Sequence, residues 1–295
     1  MQMKKFLNPL LLFVTAFIWG VAFVAQKSGS DTVGPFFFNG LRSVIAGVAL
    51  LPVIALLGNR APQPVDGVKN RKTLILGGVL CGTALFAATY FQQLGMTLGT
   101  DAGKSGFITA LYIVLVPILG IFLKKRATIK TWISVLIAVV GLYLLCVTGG
   151  FSVQLGDLMV LVCALLFAVH ILVIDHFSPR VESVKMACIQ FFVCAALSFL
   201  FALITREQNS LQNVFNAYIP ILYLGLMSSG VGYTLQIVAQ RGTDPTIASM
   251  IMSFESVFAV LSGMFFGETL TAREGIGCVL MFFAIILSQL PERKK

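Results

Sequence analysis

The sequence predicts an all-α integral membrane protein, ten transmembrane helices in a five-plus-five inverted repeat, and three observations predict it. The 295 residues are 58% hydrophobic and only 11% charged, against about 25% charged in an ordinary soluble domain. That much apolar surface suits a bilayer, whose tails are themselves apolar; mean hydropathy is +0.93. The apolar residues fall into ten runs, each near the roughly 20 residues that cross a hydrocarbon core. The second half then repeats the polar punctuation of the first at a constant offset.

The runs are read in order. Run 8–26 follows Lys4 and Lys5, as a signal peptide would. Its exit, Phe23-Val24-Ala25, is too bulky for a cleavage site, so the run is expected to stay as a span. Run 35–57 carries Arg42, the one basic residue away from the ends of a span; run 74–97 carries Tyr90 and Gln93; run 103–123 carries Tyr112. Runs 131–148 and 272–290 hold no candidate polar group in their middles, whereas 156–175 holds His170, 184–204 holds Gln190, 216–239 holds Tyr233 and Gln236, and 245–266 holds Glu255 near its centre. The joining loops are too short to fold alone; the longest are about 58–73 and 205–215.

Loop charge sets the orientation. One side receives most of the basic residues, including Lys4, Lys5, Lys124, Lys125, Arg126, Arg180 and Lys185; the other receives only Lys27, Lys104, Arg206 and Arg273. The positive-inside rule makes the first side cytoplasmic, with both termini there, in the cell membrane. The net charge of +9 is therefore a property of loops, and no nucleic-acid partner is expected. The six cysteines lie in apolar stretches without a CxxC pair, and read as small buried hydrophobes rather than metal ligands or disulfides.

At an offset of 143 residues Gly82 falls on Gly225, Tyr90 on Tyr233, Gln93 on Gln236, and Gly99-Thr100-Asp101 on Gly242-Thr243-Asp244. At 148, Ala16 falls on Ala164, Trp19 on Phe167 and Arg42 on Gln190. Residues 1–150 and 151–295 are thus expected to be two repeats of five spans. Five is odd, so the halves enter the membrane in opposite senses, an arrangement many carriers use to open alternately to each side. Duplication without any transport role is the other reading.

Polar groups inside spans are the candidate substrate-binding residues, since a mid-membrane charge costs about 2.5–3.5 kcal/mol on insertion scales and needs a partner or water. Glu255 is either a proton- or substrate-sensing acid or a group hydrogen-bonded between helices. Arg42 is able to bind a substrate carboxylate, pair with Glu255, or extend to the interface along its stem. Gln190, its repeat mate, favours an inward position. His170 reads as a packing residue or a proton relay. Trp19, Tyr90, Gln93, Tyr112, Tyr233 and Gln236 either line a cavity or bond across helices. The three-residue spacing of each Tyr/Gln pair puts both groups on one helix face.

In combination, Phe17-Ile18-Trp19-Gly20, Arg42, Ala110-Leu111-Tyr112-Ile113-Val114-Leu115-Val116-Pro117, Phe254-Glu255-Ser256-Val257-Phe258-Ala259-Val260 and Phe266-Gly267-Glu268-Thr269-Leu270 resemble the EamA branch of the drug/metabolite transporter superfamily over nearly the whole chain. The resemblance implies export or exchange of amino acids or other small metabolites through a cavity between the halves. One departure is that Gly267-Glu268 is matched in the first half by Lys124-Lys125, which makes essential chemistry at Glu268 less expected.

The expected function is a secondary transporter moving a small amphipathic metabolite by alternating access. No Walker motif suggests direct ATP drive, and no cofactor or metal is expected. The rivals are a channel, which lacks a repeated charged ring, and a membrane-embedded enzyme, for which no convergent nucleophile–base set is visible. The His170/Asp175 spacing matches some acyltransferases, but the residues between are wholly apolar. Expected partners are the substrate and the lipid bilayer; a coupling proton or ion and a homodimer are left open.

Overall fold

The computed structural model describes residues 2–30, 32–58, 70–125, 127–146, 153–264 and 271–290. Among them all regular structure is helical. Among the described residues eight helices are long and apolar enough to cross a membrane: Leu7–Gly29, Pro35–Leu57, Arg71–Thr97, Ala102–Phe122, Leu155–Arg180, Ser183–Ile204, Tyr218–Gln240 and Pro245–Ser262. A shorter apolar helix covers Ile129–Leu145. Lys4 and Lys5 lie in a helix whose side chains there are not described, and Glu268 with its neighbours 265–270 lies outside the described residues.

In chain order the helices are α1 (Gln2–Ser30), α2 (Pro35–Leu57), α3 (Arg71–Thr97), α4 (Ala102–Ala110), α5 (Tyr112–Phe122), α6 (Ile129–Cys146), α7 (Leu155–Phe177), α8 (Ser183–Ile204), α9 (Leu211–Asn216), α10 (Tyr218–Tyr223), α11 (Thr234–Gln240), α12 (Pro245–Met252), α13 (Glu255–Met264) and α14 (Ala272–Gln289). Between α10 and α11 the chain winds as a wider π-type helix over Leu224–Tyr233, a local distortion often found at functional sites.

The outer surface is apolar, with Leu56, Phe122, Leu203 and Leu211 among its most exposed side chains, as lipid contact requires. Inside, polar groups are buried beside the hydrophobic core, among them Arg42, Gln92, Gln93, His170, Gln190 and Glu255. The packing runs in pairs. α2 lies along α8, α6 along α14, α3 along α7, and α1 against α13 and the stretch from α10 to α11. α4 meets α13 while α5 meets α12. Two glycines let α6 and α14 approach: a Cβ on Gly141 would stand 2.9 Å from the Gly277 carbonyl oxygen, and one on Gly277 would stand 2.7 Å from that of Gly141. Small residues at such contacts are how membrane helices gain packing without a hydrophobic driving force.

Polar ties fix the ends. The N-terminus of α2 would leave backbone N–H groups without acceptors. Phe36 N donates to Glu207 Oε1 at 3.0 Å, Phe37 N to Glu207 Oε2 at 2.9 Å, and Gly34 N to Asn209 Oδ1 at 2.8 Å. At one end of α7, Asp157 accepts from Thr100 at 3.1 Å and pairs with Lys104. At its other end Asp175 pairs with Lys125.

Candidate site: a polar cavity between broken helices

The cavity begins with α1. Trp19, Ala22, Phe23 and Gln26 all line it, and their spacing of three, four and seven residues is one helical face. A Cβ on Gly20 would stand 2.7 Å from the Glu255 carbonyl oxygen and 2.4 Å from Phe258 Cβ. Only a glycine allows α1 to come that close to α13. Arg42 on α2, Gln92 on α3, Thr109 on α4, Tyr112 on α5, Phe167 on α7, Ser228 and Tyr233 on the π-type stretch, and Glu255 on α13 complete the wall. The cavity volume is about 30 Å³, room for about one water.

Its centre is made by two breaks. The fourth apolar stretch is interrupted at Leu111, between α4 and α5, and the ninth at Ser253-Phe254, between α12 and α13. Each break turns through the same tight bond: Leu111 N donates to the Ile108 carbonyl at 3.2 Å, and Phe254 N to the Ile251 carbonyl at 3.2 Å. These positions correspond at the 143-residue offset of the sequence repeat. So do the residues immediately after them, Tyr112 and Glu255, and these two touch: Tyr112 Oη donates to Glu255 Oε1 at 3.0 Å. Both are buried, Tyr112 at 2% and Glu255 at 4% exposure.

A second polar line runs away from this pair. Arg42 Nη1 donates to Gln26 Oε1 at 3.3 Å, Gln26 Nε2 to Gln92 Oε1 at 2.8 Å, and Gln92 Nε2 to Thr109 Oγ1 at 3.0 Å. Arg42 Nε donates to Asn39 Oδ1 at 3.1 Å, and Asn39 Nδ2 donates to Ser198 Oγ at 3.0 Å. Among the described residues no carboxylate bonds to Arg42; amide oxygens hold its buried charge. A buried cation held only by dipoles is poised to accept an anion, because that interaction offsets desolvation already incurred.

Five of the sequence-predicted residues therefore meet at one cavity: Trp19, Arg42, Tyr112, Tyr233 and Glu255. Trp19 Nε1 donates to the Ser228 carbonyl at 3.1 Å, and its ring lies 4.6 Å from that of Tyr233. The other five sit outside the wall. Tyr90 stacks on Phe36 with centroids 3.9 Å apart. Gln93 Nε2 reaches the Gln26 carbonyl at 3.4 Å, and Gln236 Nε2 donates to Gln240 Oε1 at 2.9 Å. His170 and Gln190 bond to one another at 3.1 Å behind Tyr233, whose ring lies 5.9 Å from the imidazole. Gln26, Gln92, Thr109 and Ser228 line the cavity but do not stand out in the sequence. Gln26 carries a faint signal, lying two turns along the helix from Trp19 on the same face.

Among the described residues no group of His, Cys, Asp or Glu could hold a metal ion. The wall offers instead an acid with a phenol, a guanidinium among amides, and aromatic faces.

Comparison with known proteins shows the family and the fold. The model of the EamA-like transporter family matches twice, over residues 7–147 and 154–290. A chain from Archaeoglobus fulgidus named as an uncharacterized transporter is 32% identical, with 97% of this chain and 87% of that one covered. The inner membrane transporter YedA of Escherichia coli strain K12, also named as uncharacterized, is 23% identical, with 95% and 89% covered. A solved crystal structure with 18% identity superposes with a TM-score of 0.78 over 96% of each chain, and so shares the fold.

Proposed function

The chain belongs to the EamA-like transporter family, of the drug/metabolite transporter kind, and on that premise we propose that it is a secondary carrier working by alternating access between two inverted halves, residues 1–150 and 151–295. Each half supplies five spans, the short helices α6 and α14 serving as the fifth and tenth. The two separate family matches support the division. So does the packing. Exchanging the halves turns the α3–α7 contact into that of α1 with the stretch from α10 to α11, and leaves the α2–α8 and α6–α14 pairs in place. Both termini face the cytoplasm of the cell membrane, from the loop charges.

One observation carries the site. Tyr112 and Glu255 are repeat mates, each follows a helix break, and they hydrogen-bond to each other. A residue that touches its own symmetry mate lies on the axis relating the two halves. Broken helices at the repeat interface are where carriers of this design hold cargo. Glu255 and Arg42 on one wall suit a zwitterion, and Trp19, Phe23, Phe167 and Tyr233 suit an apolar or aromatic body. The cargo is an amino acid or a related amphipathic metabolite, moved by export or exchange, and the cavity, with room here for about one water, widens to admit it as the halves move. Tyr90, Gln93, His170, Gln190 and Gln236 back the wall and hold its shape.

A thermal-shift screen of the purified protein against amino acids, nucleobases and organic cations identifies the cargo. Counterflow of that labelled compound in proteoliposomes then tests the mechanism. A carrier accelerates uptake when unlabelled compound is inside, and a pore does not. Glu255→Gln is expected to remain folded, because Oε1 still accepts from Tyr112, and to lose at least about tenfold in transport. Undiminished counterflow in the variant would contradict the site.

A further inference from the structure

At the end of α5 and α7 marked by the Lys125–Asp175 pair lies a second, larger space, an apolar groove of about 470 Å³, within the size range of ligand clefts. Its walls are Leu119 and Phe122 of α5, Leu123 just after it, and Leu172 and Val173 of α7, with the His176 ring beside them. It faces outward: Phe122 is 81% and Leu123 57% exposed. The groove shares no wall residue with the polar cavity.

We propose that this groove is a binding site for an anionic phospholipid, with an acyl chain lying between α5 and α7 and the phosphate against the basic groups at its end. The inference needs only that the chain sits in a bilayer. Apolar walls suit a hydrocarbon chain and offer almost nothing to a polar cargo. The end of the groove is polar and positive. Lys124 and Lys125 follow α5, and Arg180 follows α7. Asp175 is the anion among them, and beyond these Glu182 pairs with Lys185. Three cations against one carboxylate leave an excess of positive charge that a phosphate complements. The site is also built. Arg180 Nη1 lies 2.6 Å from His176 Nε2, which sets the imidazole as the end of the groove, and the Lys125–Asp175 pair ties the two helices together there.

The test is lipid retention by the full-length protein in mild detergent, read by native mass spectrometry. Phosphatidylglycerol and phosphatidylethanolamine with identical acyl chains are offered together. The expected result is that wild type retains phosphatidylglycerol over phosphatidylethanolamine by roughly an order of magnitude. K124Q/R180Q should bring the ratio near parity, and Val173→Trp, which fills the groove, should retain neither lipid at an unchanged melting temperature. Val169→Trp, at the same groove, serves if the first filling variant melts early. Equal retention of both lipids by wild type overturns the proposal, as would undiminished retention by the filled groove. So would a detergent-stable dimer in which a second copy covers this face.

Discussion

The buried polar pair of Tyr112 and Glu255 sets the first expectation at the scale of residues. Removing one partner from a buried hydrogen bond costs about 1–3 kcal/mol, because the remaining group has lost its water. Tyr112→Phe should therefore lower the melting temperature or the transport rate clearly. Combining it with Glu255→Ala, which removes the acceptor, should cost less than the sum of the two, since both delete one interaction. A double-mutant cycle on transport rate measures the coupling; strict additivity would mean that the 3.0 Å contact carries no energy. Wild type and Glu255→Gln, compared from about pH 5.5 to 8, should also give diverging transport profiles; coincident curves would make Glu255 structural. Tyr112 and Glu255 are legible in the sequence because one offset aligns them. Gln26 and Gln92 are not, because a polar residue in a span faces a cavity or a neighbouring helix according to rotation about the helix axis, which only the assembled bundle fixes. Tyr90 shows the converse. It repeats as Tyr233, yet its ring stacks on Phe36 while Tyr233 lines the cavity.

Two expectations belong to the elements. Gly20 lies where α1 touches the first turn of α13, and a methyl there meets backbone at 2.7 Å. Backbone cannot swing aside as a flexible side chain can. Gly20→Ala should push α1 away from Glu255, at a cost of about 1–3 kcal/mol, seen as a lower melting temperature with transport lost alongside. The Glu207 cap on α2 should be worth about 0.5–2 kcal/mol; Glu207→Ala tested by thermal melting in detergent checks it, and an unchanged melting temperature would show the cap idle. The helix runs themselves were readable from hydropathy, down to an α2 that matches 35–57. The breaks at Leu111 and Ser253-Phe254 were not. Neither contains glycine or proline, so no local signal marks them, and the turn depends on α4 meeting α13 and α5 meeting α12. Runs 131–148 and 272–290 are expected from hydropathy to be full spans. They correspond to helices of 18 residues each, about 27 Å long at 1.5 Å per residue, slightly less than a typical hydrocarbon core.

For the whole molecule the chain is a membrane transporter whose cavity wall draws residues from Trp19 to Glu255, and its working is expected to follow from the proposed two-fold relation of its halves. A cysteine added at either terminus should react with an impermeant reagent only after cells are permeabilised; reaction in intact cells would invert the proposed topology. The most direct test of the central proposal uses the cavity itself. Ser228 lines it, and replacing it with cysteine in a variant lacking the six native cysteines gives one reporter thiol. An impermeant maleimide is applied to right-side-out and to inside-out vesicles. Alternating access predicts modification from both faces, slowed on each by saturating cargo. Modification from one face only, or labelling that cargo leaves unchanged, would contradict it.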